Sequence, residues 1–267
     1  MEGEVLRDDQ WEHIRPFVPG GRKGKRGPRS DGRRFVDALL WMARSGARWR
    51  DLPERFGPHQ TAKRRYYRWI EAGVFDRLFE AVAGDPDLEW MMLDATVIRA
   101  QAQAAGARRK KGGPEAQALG RSRGGFGTKL HAVVDALGLP VRFEVGPGQQ
   151  NDMAPACDLV EGLPAAQVIA DRAYDADRLH DIILDQGGEP VIPPRRHRKY
   201  QHGYDKVAYK NRWRIEGFFA KLKQWRRIAT RYDKLAAHFL GFVKLASIML
   251  WLKSSSVNYP YSVDNTM

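Results

Sequence analysis

The sequence predicts an α/β protein with a helical N-terminal region followed by a sheet. Up to about residue 85, apolar residues recur at helical spacing, as in the stripe Phe35, Leu39 and Met42. From Trp90 onward the pattern changes to short apolar runs that are typical of strands, first in a meander and then alternating with helices. We therefore predict two domains, residues 1–85 and 86–253, and a disordered polar tail over residues 254–267.

The N-terminal region contains a basic helix that follows a glycine turn. We predict helices over residues 8–17, near 35–45 and over 52–56, then the turn Gly57-Pro58 and a further helix over 61–71. The last helix carries the cations Lys63, Arg64, Arg65 and Arg68. This order resembles a helix-turn-helix, in which the second helix enters a DNA groove. The alternative is a solvated basic face on an ordinary bundle helix.

The second domain is predicted to contain strands and helices around a basic loop. Strands are expected over residues 90–93, 129–134, 140–145, 167–170 and 189–192, and helices over 152–162, 175–186 and 239–250. Gly138 suits the turn between the second and third strands. Residues 100–125 lack an apolar period, and we expect a flexible loop that binds nucleic acid through Arg108, Arg109, Lys110 and Lys111.

Charge and composition indicate an anionic partner. The net charge is +13 and the sequence pI is about 9.9, and nucleic acid is the commonest partner of such a chain. The single cysteine, Cys157, excludes an intramolecular disulfide and fits a reducing compartment. The N-terminus lacks a signal pattern, and Lys244 interrupts the longest apolar stretch. We therefore expect a cytoplasmic protein with no membrane span.

Two aspartates follow apolar strand-like runs. Asp94 comes after residues 90–93, and Asp171 comes after residues 168–170. Each could simply cap a turn or pair with a nearby arginine, Arg99 or Arg172. However, ligand sites gather at the carboxyl ends of strands in open α/β sheets, so the two side chains could converge there with a glutamate from a neighbouring helix.

Glu216 is the one acidic residue between Asp205 and Asp233, and many cations surround it. If residues 209–228 form one helix, Tyr209, Arg212, Glu216 and Lys223 share a sector of about 60°. Three carboxylates, Asp94, Asp171 and Glu216, suit hard divalent ions, which bind oxygen ligands. Two such ions about 4 Å apart can activate a water or a 3′-hydroxyl and stabilise the leaving oxygen at phosphorus.

These residues resemble the DDE transposases of bacterial insertion sequences, families four and five. The resemblance rests on Asp94 in LDAT, Asp171 in ADRAYD, and YKNRWRIEGFFAKLK, whose Tyr, Arg, Glu and Lys have the spacing of that group's C-terminal motif. WRDLPERFG with the basic helix after it, and the segment GGPEAQALGRSRGGFGTKLHAVVDALGLPVRF, also look like regions of these proteins. The similarity covers about residues 5–250.

The resemblance implies an RNase H-like core, which is a mixed five-stranded sheet flanked by helices. It also implies two Mg²⁺ or Mn²⁺ ions held by Asp94, Asp171 and Glu216, with Tyr209, Arg212 and Lys223 on DNA phosphates. Such an enzyme binds the terminal inverted repeats of its element, hydrolyses a phosphodiester at the 3′ end, and attacks target DNA with the freed hydroxyl. A homodimer on the double-stranded DNA ends is the expected assembly.

Two other functions are compatible with parts of the pattern. An RNase H-like nuclease or resolvase would share the acidic residues, and a DNA-binding regulator derived from a transposase would keep the basic helices. All three carboxylates are present, which argues against the regulator. We assign no role to His131, and we expect Trp213 and Trp225 to lie in the core, although either could stack on a base.

Overall fold

The computed structural model describes residues 6–20, 31–106, 113 and 115–258. The described residues up to Gly84, together with those from Gly241 onward, form one compact unit, and Asp85–Leu240 forms the second. The last helix therefore groups mainly with the N-terminal helices, whereas the sequence analysis placed it in the second domain. The functional division into a DNA-binding and a catalytic domain stays a prediction.

The first unit is helical in its described part. Its N-terminal helices are α1 (Asp8–Ile14), α2 (Gly32–Ser45), α3 (His59–Glu71) and α4 (Val74–Ala83). Asp31 caps α2 by accepting a hydrogen bond from the Arg34 amide, and the left-handed Gly46 ends it, as glycine commonly does. The predicted helix over residues 52–56 is only a 3₁₀ turn, Glu54–Phe56, after which Gly57 adopts a positive φ. The basic helix begins at His59, two residues before the predicted start.

Aromatic side chains hold the first unit together. Tyr66 of α3 is fully buried, stacks on Phe242 at 4.6 Å between ring centroids, and meets Phe75 edge-on at 5.4 Å. Phe242 belongs to the last helix, α10 (Ala236–Asn258), where Gly241 gives Tyr66 its room. Offset and edge-on ring pairs of this kind add to the stabilisation that comes from burial. This packing fixes α3 and leaves its other side at the surface.

The second unit is built on a mixed sheet. Its strands are β1 (Trp90–Ala100), β2 (Gly120–Ser122), β3 (Gly125–Val134), β4 (Pro140–Pro147), β5 (Gln167–Ala170), β6 (Glu189–Val191) and β7 (Thr230–Arg231). β1 pairs antiparallel with β3 and parallel with β5; β3 also pairs with β4, and β5 with β6. These four pairings give the order β4-β3-β1-β5-β6. Among the described residues the sheet has seven strands rather than five, because short β2 and β7 add to β3 and β1.

β1 is longer than the sequence pattern predicts. The apolar run stops at Leu93, but the ladder with β3 continues as far as Arg99. Asp94 therefore lies inside the strand and does not end it, which corrects the prediction. The cause is that Asp94, Thr96 and Arg99 interrupt the apolar run, while the backbone of this stretch still pairs with β3. Asp171 does end β5, as predicted.

Helices pack on the sheet and lead to the C-terminal motif. They are α5 (Ala156–Val160), α6 (Asp177–Asp185), α7 (Lys206–Tyr209), α8 (Trp213–Lys223) and α9 (Arg226–Ala229). The prediction of one continuous helix over residues 209–228 is wrong, because the structure has separate helices there. A 3₁₀ turn, Lys210–Arg212, joins α7 to α8, and the extended backbone of Trp225 separates α8 from α9. Trp225 is buried there, so side-chain packing ends the helix that the periodicity predicts to continue. The helix predicted over residues 152–162 is confined to α5.

The segment predicted as a flexible basic loop is partly structured. Within its described residues it forms β2 and two 3₁₀ turns, Ala102–Ala104 and Glu115–Gln117. The fully buried Arg231 donates hydrogen bonds to the carbonyl oxygens of Gln117 and Ala118 and so holds the end of this segment. Arg108, Arg109, Lys110 and Lys111 lie outside the described residues. Helix α10 runs to Asn258, into the predicted tail, and residues 259–267 also lie outside the described part.

Helix α10 is the one described helix that meets the length and hydropathy of a membrane span, over Ala236–Ser254. Of that window, 61% is buried inside the protein, as in the core helix of a soluble protein. Phe239, Phe242 and Val243 are fully buried there.

Candidate active site

Asp94 and Asp171 lie side by side on neighbouring strands. Leu93 of β1 is the register partner of Ala170 of β5. Asp94 follows Leu93 and Asp171 follows Ala170, so the two aspartates come at corresponding positions. Successive side chains alternate between the faces of a sheet, which places both carboxylates on the face opposite to Leu93 and Ala170. Adjacent strands are about 4.8 Å apart, so the two aspartates face the same small volume.

Arg212 links Asp94 to Glu216. Its Nη2 donates to Asp94 Oδ2 at 2.6 Å, and its Nη1 donates to Glu216 Oε1 at 2.5 Å. Asp94 is largely buried, with 16% of its side chain exposed, whereas Glu216 is 59% exposed. The guanidinium fork suits two separate carboxylate oxygens, and it brings Glu216 of α8 to the strand that carries Asp94.

Burial and the neighbouring charges act on the pKa of Asp94. Loss of solvent raises the pKa of this carboxyl, the Arg212 guanidinium opposes that rise, and Asp171 adds to it. The Asp94 Oδ1 atom accepts a hydrogen bond from the Ala95 amide at 2.8 Å, and Asp171 Oδ1 accepts one from the Ala173 amide at 2.7 Å. The site is therefore an acidic cluster that needs positive charge, and Arg212 supplies it.

Two further residues of the C-terminal motif lie beside this cluster. Lys223, at the end of α8, donates from Nζ to Thr96 Oγ1 at 2.7 Å, two residues along β1 from Asp94. Burial raises the pKa of the Tyr209 hydroxyl, with Arg212 and Asp171 among the charges that act on it. The structure thus brings together the candidate residues of the catalytic region that sequence analysis selected within the described part: Asp94, Asp171, Tyr209, Arg212, Glu216 and Lys223.

Sequence analysis missed a second polar group next to the aspartates. Lys129 of β3 donates from Nζ to Asp152 Oδ1 at 3.0 Å and to the Gln150 carbonyl oxygen at 2.8 Å. Tyr174 is buried between these charges: loss of solvent raises the pKa of its hydroxyl, and Asp152, Asp94 and Asp171 raise it further. A lysine within the apolar run of β3 was the signal in the sequence that pointed to a buried acidic partner.

The first unit presents a basic face of its own on α3. Arg64, Tyr67 and Arg68 line an open groove of about 530 Å³ together with Thr61 and Glu71. The ammonium group of Lys63 lies 5.8 Å from the centroid of the Tyr67 ring. Arg64 and Arg68 are exposed, so their charges are available to a ligand.

Arg65, selected with these cations, has a different environment. It donates to the carbonyl oxygens of Asp31 and Pro19, and its guanidinium lies 4.3 Å from the centroid of Phe35 and 5.2 Å from that of Trp69. Burial lowers the pKa of this guanidinium. Through these contacts Arg65 stabilises the first unit. The exposed cations of α3 are instead its sequence neighbours Arg64 and Arg68.

The two tryptophans of the motif region differ in burial. Trp225 lies in the core, as predicted, with 2% of its surface exposed. The prediction that Trp213 lies in the core is wrong, because 62% of its surface is exposed at the start of α8. It follows Arg212 directly in the sequence, and its indole lies at the surface. The Arg214 guanidinium lies 5.5 Å from the centroid of this ring.

Comparisons with known proteins agree with this fold and these residues. Residues 6–79 match the family "Putative transposase of IS4/5 family (DUF4096)", and residues 87–251 match the family "Transposase DDE domain". The fold is that of the RNase H-like transposases. The chain is similar over 95% of its length to the piggyBac transposase in its synaptic complex with hairpin DNA, with a TM-score of 0.51 and 9% identity, covering 74% of that chain.

Curated relatives match parts of the chain. The "Putative transposase for insertion sequence element IS6501" of Brucella ovis is 46% identical over 47% of this chain and 98% of its own length. The "Uncharacterized protein y4sN" of Sinorhizobium fredii is 66% identical over 42% of this chain and 90% of its own length. Since the DDE domain model spans most of the chain, the protein belongs to the DDE transposase family.

Proposed function

We propose that this protein is a DNA transposase that cleaves the 3′ ends of an insertion sequence and joins them to target DNA. The observation that carries the proposal is the arrangement around Arg212, whose guanidinium connects Asp94 of β1 to Glu216 of α8, beside Asp171. These residues come from three separate parts of the chain. If Glu216 served only as a local ion-pair partner for Arg212, there would be no reason for the two aspartates to lie beside this pair.

The carboxylates fit divalent metal ions. Asp94, Asp171 and Glu216 offer the hard oxygen ligands that Mg²⁺ and Mn²⁺ prefer, and the Arg212 guanidinium between two of them marks a place where a cation is stabilised. We infer that these three residues hold the metal. When the metal binds, Arg212 leaves the carboxylates and contacts a DNA phosphate. The metal, when bound, activates the attacking oxygen and stabilises the leaving oxygen in an in-line displacement at phosphorus.

The remaining residues of the site hold DNA in this proposal. Arg212 offers two parallel donors to a phosphate, and Lys223 offers a point charge at the other end of α8. The hydroxyl of Tyr209 donates to a phosphate oxygen while its ring fixes the direction of that bond. Trp213, which is exposed, provides a flat surface for a base at an opened end.

Binding of the ends needs a larger basic surface. The exposed cations Arg64 and Arg68 line the groove of α3 that we propose for double-stranded DNA, and Lys63 adds its charge beside Tyr67. The net charge of +13 supports binding to phosphates in general. Assembly as a homodimer on paired ends, and a location with the DNA in the cytoplasm, belong to the same proposal.

The test uses the purified protein and DNA ends taken from either side of its own reading frame. We expect cleavage at the 3′ ends that requires Mg²⁺ or Mn²⁺, and joining of a precut 3′-hydroxyl end to a target plasmid. Asp94→Ala, Asp171→Ala and Glu216→Ala are each expected to abolish cleavage and to retain end binding. Cleavage at the wild-type rate by one of these variants would remove that residue from the set of essential ligands.

The joining assay separates the proposal from the alternative of a hydrolytic nuclease or resolvase. A nuclease cleaves the ends and leaves the precut end unjoined. A regulator derived from a transposase binds the ends and performs neither step. Joining of the precut end by the wild-type protein is the result expected of a transposase.

A further inference from the structure

A second cluster of metal-binding side chains lies away from the carboxylates, where residues 193–205 pack against α6. Asp175, whose side chain is fully buried, lies with its Oδ1 atom 3.4 Å from His180 Nε2 and 3.2 Å from His202 Nε2. All three of these atoms lie within 4.8 Å of one another. Asp175 follows Asp171 by four residues, but its side chain contacts these two histidines.

The hydrogen bonds of this cluster leave one of its buried nitrogen atoms unsatisfied. His202 Nδ1 lies 3.1 Å from the Gly203 carbonyl oxygen, which can only accept, so this nitrogen carries a proton. His202 Nε2 makes a hydrogen bond with Asp175 Oδ1 at 3.2 Å, and a bound metal ion would take the place of the proton between these two atoms. His180 Nε2 is buried and has no hydrogen-bond partner among the described residues. A cation between these atoms would satisfy all three of them.

The distances and the donor types agree on the kind of cation. Zinc bonds of about 2.0–2.1 Å in a tetrahedron put neighbouring ligand atoms about 3.3 Å apart. The separations of 3.4 and 3.2 Å from Asp175 Oδ1 are close to this length, and the two histidine nitrogens lie within 4.8 Å of each other. Two imidazoles and one carboxylate suit Zn²⁺, whereas Mg²⁺ prefers oxygen ligands alone. A backbone carbonyl that accepts from the other ring nitrogen, as Gly203 does for His202, is a common support for such a ligand.

We propose that Asp175, His180 and His202 bind one Zn²⁺ ion, with water as the fourth ligand. The present cation at Asp175 is Arg198, whose Nη1 donates to Asp175 Oδ1 at 2.8 Å and whose Nη2 pairs with Asp177. Zinc displaces the first of these bonds and leaves the pair with the exposed Asp177. The ion joins α6 to the segment that leads into α7, and so fixes the approach to the motif that contains Arg212 and Glu216.

The test measures zinc on the full-length protein after removal of metals with a chelator. Zn²⁺ is then added together with excess Mg²⁺, which fills oxygen-only sites, and zinc per chain is determined by elemental analysis after unbound ions are removed. The wild-type protein is expected to hold about one equivalent, and His180→Gln and His202→Gln to lose it. His197→Gln is the matched control, because His197 is exposed in the same segment and is expected to leave the zinc in place.

Two further measurements keep the result unambiguous. Asp94→Asn is expected to bind zinc as the wild type does, which separates this site from the proposed catalytic ligands. Co²⁺ in place of zinc is expected to give the intense visible absorption of a tetrahedral site in the wild-type protein, and this decides the matter if a histidine variant fails to fold. A wild-type protein without that spectrum, or with no more zinc than His202→Gln, overturns the proposal. A protonated His202 and Arg198 would then neutralise Asp175.

Discussion

Arg212 decides the charge balance of the candidate site in the absence of DNA. It pairs with both Asp94 and Glu216, so a metal ion that binds these carboxylates competes with its guanidinium. Removing it by Arg212→Ala is therefore expected to strengthen Mg²⁺ binding to the free protein by about tenfold, or ~1.4 kcal/mol. Calorimetric titration of Mg²⁺ measures this directly.

The matched control for Arg212 is Arg226, which is exposed on α9. Arg226→Ala is expected to leave the Mg²⁺ affinity at the wild-type value. In the cleavage assay Arg212→Ala should be impaired in spite of its tighter metal binding, because the proposed phosphate contact is lost. Unchanged Mg²⁺ affinity in Arg212→Ala would contradict the competition between guanidinium and metal.

His131 makes stability depend on pH. It is fully buried on β3, and loss of solvent lowers its pKa from 6.5 to about 4. Between these values the unfolded chain binds a proton that the folded protein does not. The contribution of His131 to the free energy of unfolding is thus fully present above about pH 6.5. It is lost as the pH falls toward 4, by about 3 kcal/mol in all.

Replacement of the imidazole tests this dependence. His131→Leu, which has no titrating group, is expected to reduce the change in unfolding free energy between neutral pH and about pH 4, measured by urea denaturation. His197→Gln should retain the wild-type dependence because His197 is exposed. An undiminished acid loss in His131→Leu would assign the effect to other groups.

At the residue scale, sequence reasoning succeeded where one charge stood out against its surroundings. Glu216 is the single acid in a basic stretch, and the structure brings it to Asp94 through Arg212. Asp152 gave no such signal, since it follows a turn in which aspartate is common. Its link to Lys129 depends on how the backbone after β4 folds back, which local patterns do not encode.

At the scale of elements, periodicity predicted type better than extent. Strand β5 matches its apolar run because both of its faces are buried. Strand β1 extends past its apolar run, because pairing with β3 continues where polar residues such as Asp94 and Thr96 interrupt that run. The helix predicted over residues 209–228 breaks at Trp225, where burial of a large ring overrides helix propensity. Each of these differences comes from tertiary packing.

Gly217 and Gly127 give opposite predictions for the same substitution. A Cβ atom at Gly217 in α8 meets nothing within 4 Å, so Gly217→Ala is expected to stabilise the free protein by about 0.5–1 kcal/mol. A Cβ atom at Gly127 in β3 would lie 2.5 Å from the Ile98 carbonyl oxygen. Gly127→Ala is therefore expected to destabilise by about 1–3 kcal/mol.

Urea denaturation of the two variants beside the wild type checks this pair. Gly217 follows Glu216, and if DNA approaches α8 closely there, Gly217→Ala will also lower end cleavage although the protein is more stable. A destabilised Gly217→Ala protein would mean that the surface of α8 is closed at this point. A Gly127→Ala protein as stable as the wild type would contradict the close approach of β1 and β3.

At the scale of the whole molecule, charge governs binding to DNA ends. A protein with a net charge of +13 is expected to release condensed counterions when it binds DNA, so its affinity falls as salt rises. Each phosphate contact that is lost reduces the slope of log affinity against log salt by about 1. Lys223, at the end of α8 beside Thr96, is the cation for which we predict such a contact.

Lys223→Ala is expected to weaken end binding and to reduce the salt slope by about 1, as measured by fluorescence anisotropy over a range of salt concentrations. Lys221→Ala is the matched control, because Lys221 is exposed two residues away and about 200° around the same helix. Both variants lose one charge from the whole molecule, so the difference between their salt slopes reports the phosphate contact of Lys223. Equal salt slopes for the two variants would mean that Lys223 acts only through the long-range field and contacts no phosphate.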